Sequence, residues 1–217
     1  MQPFTSITGV AVPIIEDDLN TDQIAPIQMS RELKPDYADL LFKRRRVNPD
    51  GSRNEAHILN QGRYRNPAIL VSGRNFGCGS SREAAVWCLT AVGIRAIVAR
   101  SIADIFRENC LQNGVLPVEL ADADAAQFEA RVLAADGNAP FTADLVTQTL
   151  SGPDGVDIRF EIPASDRMRL IEGLDDIGVS LKHEAEVAAW EARTAAQLPW
   201  RQSARDRRRS EPSKDSG

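Results

Sequence analysis

Histidine is nearly missing from these 217 residues: the chain has two, His57 and His183. Cysteine is almost as scarce, with Cys78, Cys88 and Cys110 and no Cys-x-x-Cys pair. Structural zinc sites and iron–sulfur clusters ordinarily want four close-set ligands, so no self-contained metal centre is expected. Any metal chemistry must borrow ligands from another chain. No apolar run approaches the ~18 residues a membrane span requires. The opening MQPFTSITGV lacks the basic start and apolar stretch of a signal peptide, so a cytoplasmic protein is expected. Positive charge is in deficit: 26 Lys/Arg against 31 Asp/Glu leaves −5, which speaks against a general nucleic-acid grip.

What is present is ordinary for a globular chain. A 42% hydrophobic share and this length suffice for one buried core without staples. The expected organisation is one domain over residues 1–200 and a charged, disordered tail over 201–217. That tail carries six Lys/Arg and three Asp/Glu, and nothing in it beyond Ala204 is apolar. Arg207–Arg209 read there as part of a solvated terminus.

The strongest periodic signal lies mid-chain. Ala68–Ser72 reads as a buried strand, followed by a glycine-dense loop and a helix from Arg82 to Val92 that stops at Gly93. Ile94–Ala99 is a second strand. Ser101 is expected to cap a helix to Leu111, and Val115–Leu120 is a third strand whose proline argues for an edge. This is a β-α-β-α-β unit, a parallel layer covered by helices. Around it, Val10, Val12 and Ile14 alternate as a strand. Asp36 caps a short helix with Tyr37, Leu40 and Leu41 inward, and residues 43–67 form a long surface excursion that opens on a solvated basic run, Lys43–Arg46. A helix is expected over Asp124–Ala135 and a hairpin over Leu145–Leu150 and Val156–Ile162. A helix from Ser165 stops at Gly173, and a last one runs from Lys182 to Ala196. The fold class is therefore α/β with an additional β layer.

The loop at 73–82 is where chemistry can sit. It joins a strand's carboxyl end to a helix's amino end, where unpaired N–H groups attract anions. Gly77 and Gly79 allow close backbone approach, Ser80 and Ser81 offer hydroxyls, and Arg82 offers a planar fork for a carboxylate or phosphate. Spacing alone leaves an anionic-ligand site and a plain helix cap equally open. A dinucleotide fingerprint is weakened by Arg82 at its third glycine, and neither a Walker loop nor a nucleophile elbow is present. Cys78 reads as a small buried residue, Thr21-Asp22 as a turn or cap, and both histidines as surface residues. Trp87 and Trp190 read as packing anchors.

Asn75-Phe76-Gly77-Cys78-Gly79-Ser80-Ser81-Arg82-Glu83 resembles the signature of the 3-isopropylmalate dehydratase small-subunit family, the counterpart of the swivelling domain of aconitase. Asn20-Thr21-Asp22-Gln23-Ile24-Ala25-Pro26, Ala103-Asp104-Ile105-Phe106, Asn113-Gly114-Val115-Leu116-Pro117 and Gly173-Leu174-Asp175-Asp176-Ile177-Gly178 are similar to further family segments, in the family's order over residues 6–195. The resemblance implies a swivel-type fold of β/β/α layers and a hydro-lyase that isomerises 2- and 3-isopropylmalate in leucine biosynthesis. It implies a large-subunit partner holding a [4Fe–4S] cluster. Ser80 matches the serine whose deprotonated oxygen is the base, and Asp22 an aspartate supporting the hydrogen-bond network. Arg82 matches the arginine that grips substrate carboxylate. Asn75, Gly79, Ser81 and Thr21 join the implied substrate-binding set, and Met29, Ser30 and Arg31 occupy the loop that reads the variable side group. Two departures stand out: Ala84 replaces the family's usual histidine, and Met29-Ser30-Arg31 replaces an aromatic-leucine pair. They keep two alternatives open, another hydroxy-dicarboxylate (methylmalate, dimethylmalate or homoaconitate type) or a non-catalytic anion- or partner-binding paralogue.

Overall fold

A computed structural model describes residues 1–27 and 35–195. Met29, Ser30, Arg31 and the tail 201–217 lie outside the described residues. Two compact units are formed, Met1–Asp175 and the stretch from Asp176 onward. Among the described residues no helix is long and apolar enough to cross a membrane.

The first unit is organised by one sheet of seven strands in the order β4-β3-β2-β1-β5-β6-β7. β1 (Ser6–Ile14), β2 (Pro67–Ser72), β3 (Ala96–Ala99) and β4 (Leu116–Glu119) run parallel, and β4, with Pro117, is the edge. Alternate residues of these strands enter two different cores. Ile69, Val71, Ala96 and Val98 face one cluster, while Leu70, Ile97, Val12 and Ile14 face the other. Burial on both faces is why the strands read as unbroken apolar runs.

The second cluster is closed by α4 (Ala84–Ala91) through Ala85, Val86, Cys88 and Leu89, and by α5 (Asp104–Gln112) through Phe106 and Cys110. The first is closed by α6 (Asp122–Ala135) through Ala125, Phe128 and Val132, and by Leu170 of α7 (Ala164–Glu172). Both helix pairs fall where helical spacing places them. The expected extra β layer is a continuation of the same sheet. β5 (Pro140–Asp144) is antiparallel to β1, and β6 (Thr149–Ser151) and β7 (Asp157–Arg159) follow as a hairpin. Their inward residues Phe141, Leu150 and Ile158 join the cluster of Ile69 and Val71, so the sheet curls over one core.

Several local expectations are corrected. The hairpin's first strand starts at Thr149 rather than Leu145, and β5 has no counterpart among the expected elements. Ser101 does not cap α5, whose N-cap is Ala103; its hydroxyl instead accepts from the Asn75 N–H at 2.8 Å. The excursion after Leu41 is tied down: it carries α3 (Lys43–Arg46) and buries Asn60 and Tyr64. The basic run is not simply solvated, since Lys43 pairs with Asp39, Arg45 with Glu16 in a two-pronged contact, and Arg46 bonds Asn60. His57 is half-buried against Phe42, and the Nδ1 of its ring accepts from the Leu59 N–H. In the second unit, α8 (Asp176–Leu181) and α9 (Glu184–Ala195) leave Val187 and Trp190 about half exposed.

Candidate active site

Three loops meet at the carboxyl ends of the parallel strands. The loop after β1 and the loop after β2 run side by side like a short parallel ladder. Asp18 N–H donates to Arg74 O (2.9 Å), Gly77 N–H to Leu19 O (2.7 Å) and Thr21 N–H to Cys78 O (2.9 Å). On its other side the β2 loop meets the loop after β3: Phe76 N–H donates to Ser101 O (3.1 Å) and Ala103 N–H to Phe76 O (2.9 Å). The signature loop is thus held from both flanks, which is the location open α/β sheets use for ligands.

Two glycines make that lacing possible. Gly77 has φ +76°, and a Cβ there would stand 2.2 Å from the Phe106 ring. Gly79 has φ +95° and lies against Asn20 and Thr21, where a Cβ would be 3.4 Å from Asn20 Cβ. Both conformations penalise any residue with a side chain. Phe76 and Phe106 meet edge to face at 5.3 Å and seal the loop's underside.

The loop's upper side is open. Asn75, Gly79, Ser80 and Ser81 are exposed, and Arg82 and Asp22 are part-exposed. Helix α1 (Thr21–Ile24) begins directly below, fixed by a capping box in which Asn20 Oδ1 accepts from Gln23 N–H and Asn20 N–H donates to Gln23 Oε1, each at 2.9 Å. This sets Thr21 with 1% exposure. Its hydroxyl lies 3.1 Å from the Ser80 hydroxyl and 3.1 Å from the Ser80 carbonyl oxygen. The next residue, Asp22, forms an ion pair with Arg82. Ser80 and Thr21, and Arg82 and Asp22, are therefore two adjacent couples joining the two segments singled out in the sequence. Asn75 stands at the loop's other end, its amide N–H donating to Asp18 Oδ1 at 2.7 Å.

α4 opens at Ala84 on Glu83, so the serines precede the helix by three residues or more rather than capping it. Glu83 is held from α5's end: Asn113 Nδ2 donates to its carboxylate at 2.8 Å, while Trp87 Nε1 donates to Asn113 Oδ1 at 3.1 Å. Trp87 also meets Tyr37 edge to face at 5.4 Å. Asn113, Asp18 and Ser101 are supports that sequence reasoning misses. Asn113 and Ser101 look like a helix stop and a cap, and only strand order brings them to the loop.

Cysteine chemistry is unfavourable. Burial and the Asp18 charge push the Cys78 thiol up, so it is no activated thiolate. Cys88 is sealed in the core with its thiol pushed up to about 12, and burial drives Cys110 higher too. These residues do not fit an iron–sulfur cluster, and the described residues hold no group of three or more His, Cys, Asp or Glu able to bind a metal ion.

The sequence profile of the aconitase C-terminal domain matches residues 1–123, and that of the C-terminal domain of the 3-isopropylmalate dehydratase small subunit matches residues 176–204. The 3-isopropylmalate dehydratase small subunit of Dinoroseobacter shibae is 43% identical over 201 residues, covering 92% of this chain and 100% of its own length. Its counterpart in Xanthobacter autotrophicus is 44% identical over 202 residues, with the same coverage of 92% and 100%. A crystal structure of 3-isopropylmalate dehydratase from Methanocaldococcus jannaschii has a TM-score of 0.58 at 23% identity, covering 85% of this chain and 98% of that one. At that identity it speaks for the fold alone. With a profile covering more than half the chain and full-length relatives above 40% identity, this chain belongs to the 3-isopropylmalate dehydratase small-subunit family, built on the aconitase C-terminal swivelling domain.

Proposed function

We infer that the chain is the small subunit of a 3-isopropylmalate dehydratase, a hydro-lyase that interconverts 2- and 3-isopropylmalate by removing and re-adding water in leucine biosynthesis. The observation that carries this reading is the hydroxyl of the exposed residue Ser80, flanked by Gly79 and Ser81 and backed by a buried hydroxyl at 3.1 Å, with an arginine two residues on. Dehydration requires a base to take a proton from carbon α to a carboxylate, a weak acid. Ser80, as alkoxide, accepts that proton, forming an O–H bond as the C–H bond breaks, and returns it when water adds again. Arg82 binds a substrate carboxylate through its guanidinium fork, which its ion pair with Asp22 orients. Asn75, Gly79 and Ser81 are exposed like Ser80 and belong with Arg82 to the substrate-binding set.

Ser80 faces solvent in this chain, where an alkoxide is disfavoured. The reading therefore requires a large subunit that shuts over the loop and excludes water. The [4Fe–4S] cluster implied by the family is assigned to that large subunit, since Cys88 and Cys110 are sealed inside this one. A cytoplasmic location is in keeping with three free cysteines. The names of the full-length relatives favour isopropylmalate over the other hydroxy-dicarboxylates and over a non-catalytic role. The test is anaerobic co-purification with the cognate large subunit, followed by turnover of 3-isopropylmalate beside methylmalate, dimethylmalate and homoaconitate. Preference for isopropylmalate is expected; absence of turnover by a complex with a fully loaded cluster would refute the assignment.

A further inference from the structure

Thr21 combines three features that a substrate contact does not need. It is 1% exposed, so it meets the serine rather than the cleft. Its backbone is fixed by the capping box on one side and by the bond from its N–H to Cys78 O on the other. Its single hydroxyl stands at one distance, 3.1 Å, from two acceptors of the same residue, the Ser80 carbonyl and the Ser80 Oγ. A hydroxyl owns one proton and can donate to only one of them at a time, while its lone pairs can accept from the other. A β-branched side chain is stiff at χ1, so the oxygen stays put and only the hydrogen swings.

We propose that Thr21 is the positioning residue that matches Ser80 in both of its protonation states. When Ser80 is a hydroxyl, it donates to Thr21 Oγ1, and the Thr21 proton points to the Ser80 carbonyl. When Ser80 is an alkoxide, the Thr21 proton turns to it. Thr21 loses no proton in either state; the one that moves passes between the substrate carbon and Ser80. A hydrogen bond to a charged oxygen is stronger than one to a neutral carbonyl, and burial of Thr21 keeps water from competing, so the swing stabilises the basic form selectively. This rests on the reading of Ser80 as the base.

The test uses the assembled two-subunit enzyme and follows kcat and KM for 3-isopropylmalate across pH. Thr21→Val keeps the shape and the backbone bond but has no hydroxyl; Thr21→Ala serves as a second hydroxyl-free variant should valine fold poorly. Both should lower kcat by about 10- to 100-fold with little change in KM, and move the acid limb of the kcat profile up by about 1–2 pH units. Thr21→Ser should return kcat to within about threefold of wild type, since it keeps the hydroxyl. A wild-type limb in the hydroxyl-free variants, whether or not kcat falls, overturns the proposal, because a merely structural role would leave the limb in place. Ser80→Ala separates the two levels. If it turns over within about tenfold of the native rate, the reading of Ser80 fails; if it is slowed by at least about a hundredfold while Thr21→Val keeps the native limb, only the present inference fails.

Discussion

Replacing Gly77 by alanine tests whether the signature loop is shaped by its fit against α5. Two costs are expected. The backbone stands at φ +76°, a conformation that costs an L-residue about 1–2 kcal/mol. The new methyl would sit 2.2 Å from Phe106 Cγ, in a ring 1% exposed and wedged edge to face against Phe76, so it cannot simply turn away. Forcing a methyl into such packing costs about 1–3 kcal/mol. Together these give about 2–5 kcal/mol, or roughly 4–20 °C in melting temperature for a domain of this size. Gly51→Ala is the matched control: φ is +85° but nothing lies within 4 Å of the added atom, so only the backbone cost of about 1–2 kcal/mol remains. Thermal melts of the two variants of the full chain isolate the clash. Gly77→Ala should melt lower than Gly51→Ala by roughly 2–12 °C. Equal melting temperatures would refute the argument that contact with Phe106, rather than turn conformation alone, dictates glycine there.

Arg82→Lys should raise KM for 3-isopropylmalate by more than about tenfold, because an ammonium cannot reproduce the fork. It should shift the melting temperature by no more than about 4 °C, since the part-exposed pair with Asp22 contributes at most about 1 kcal/mol. Steady-state kinetics and a melt together check this. Asn113→Asp sets a carboxylate against Glu83 and should be less stable at neutral pH than Asn113→Ala, which merely removes the bridge to Trp87, as urea titration of both would reveal. His57 carries a pH prediction. Burial, then the charges of Arg46 and Arg45, lower its pKa, so the unfolded chain binds a proton more readily than the native one. Stability from this residue is present above about pH 6.5 and is lost as pH falls toward the lowered native value. Melting temperatures between pH 7.5 and 5 should therefore decline less in His57→Asn than in wild type.

The β-α-β-α-β unit is legible because its strands are buried on both faces and its helices carry apolar stripes at regular spacing. Leu70 and Ile69 differ only in which core they enter, and both simply read as apolar. β5 is hidden for the opposite reason: Pro140–Asp144 is short and buries only Phe141 and Ala143, and it is a strand by virtue of pairing with β1 and β6. At the site, the glycines, serines and Arg82 are contiguous and stand out as one motif. The link between Thr21 and Ser80 spans 59 residues and depends on two loops lying side by side, which no local pattern encodes. Ser101 misleads for a related reason: it has the chemistry of a helix terminus, yet the tertiary partner Asn75 claims its side chain. Asn113 does end α5, but nothing local tells that its side chain also reaches Glu83.

The central claim is that the Ser80 oxygen is the base. Its most direct measurement is the turnover of 3-isopropylmalate by the assembled enzyme carrying Ser80→Ala. The rate should fall by at least about a hundredfold while KM stays within about threefold of wild type. Turnover by that variant within about tenfold of the native rate would contradict the claim.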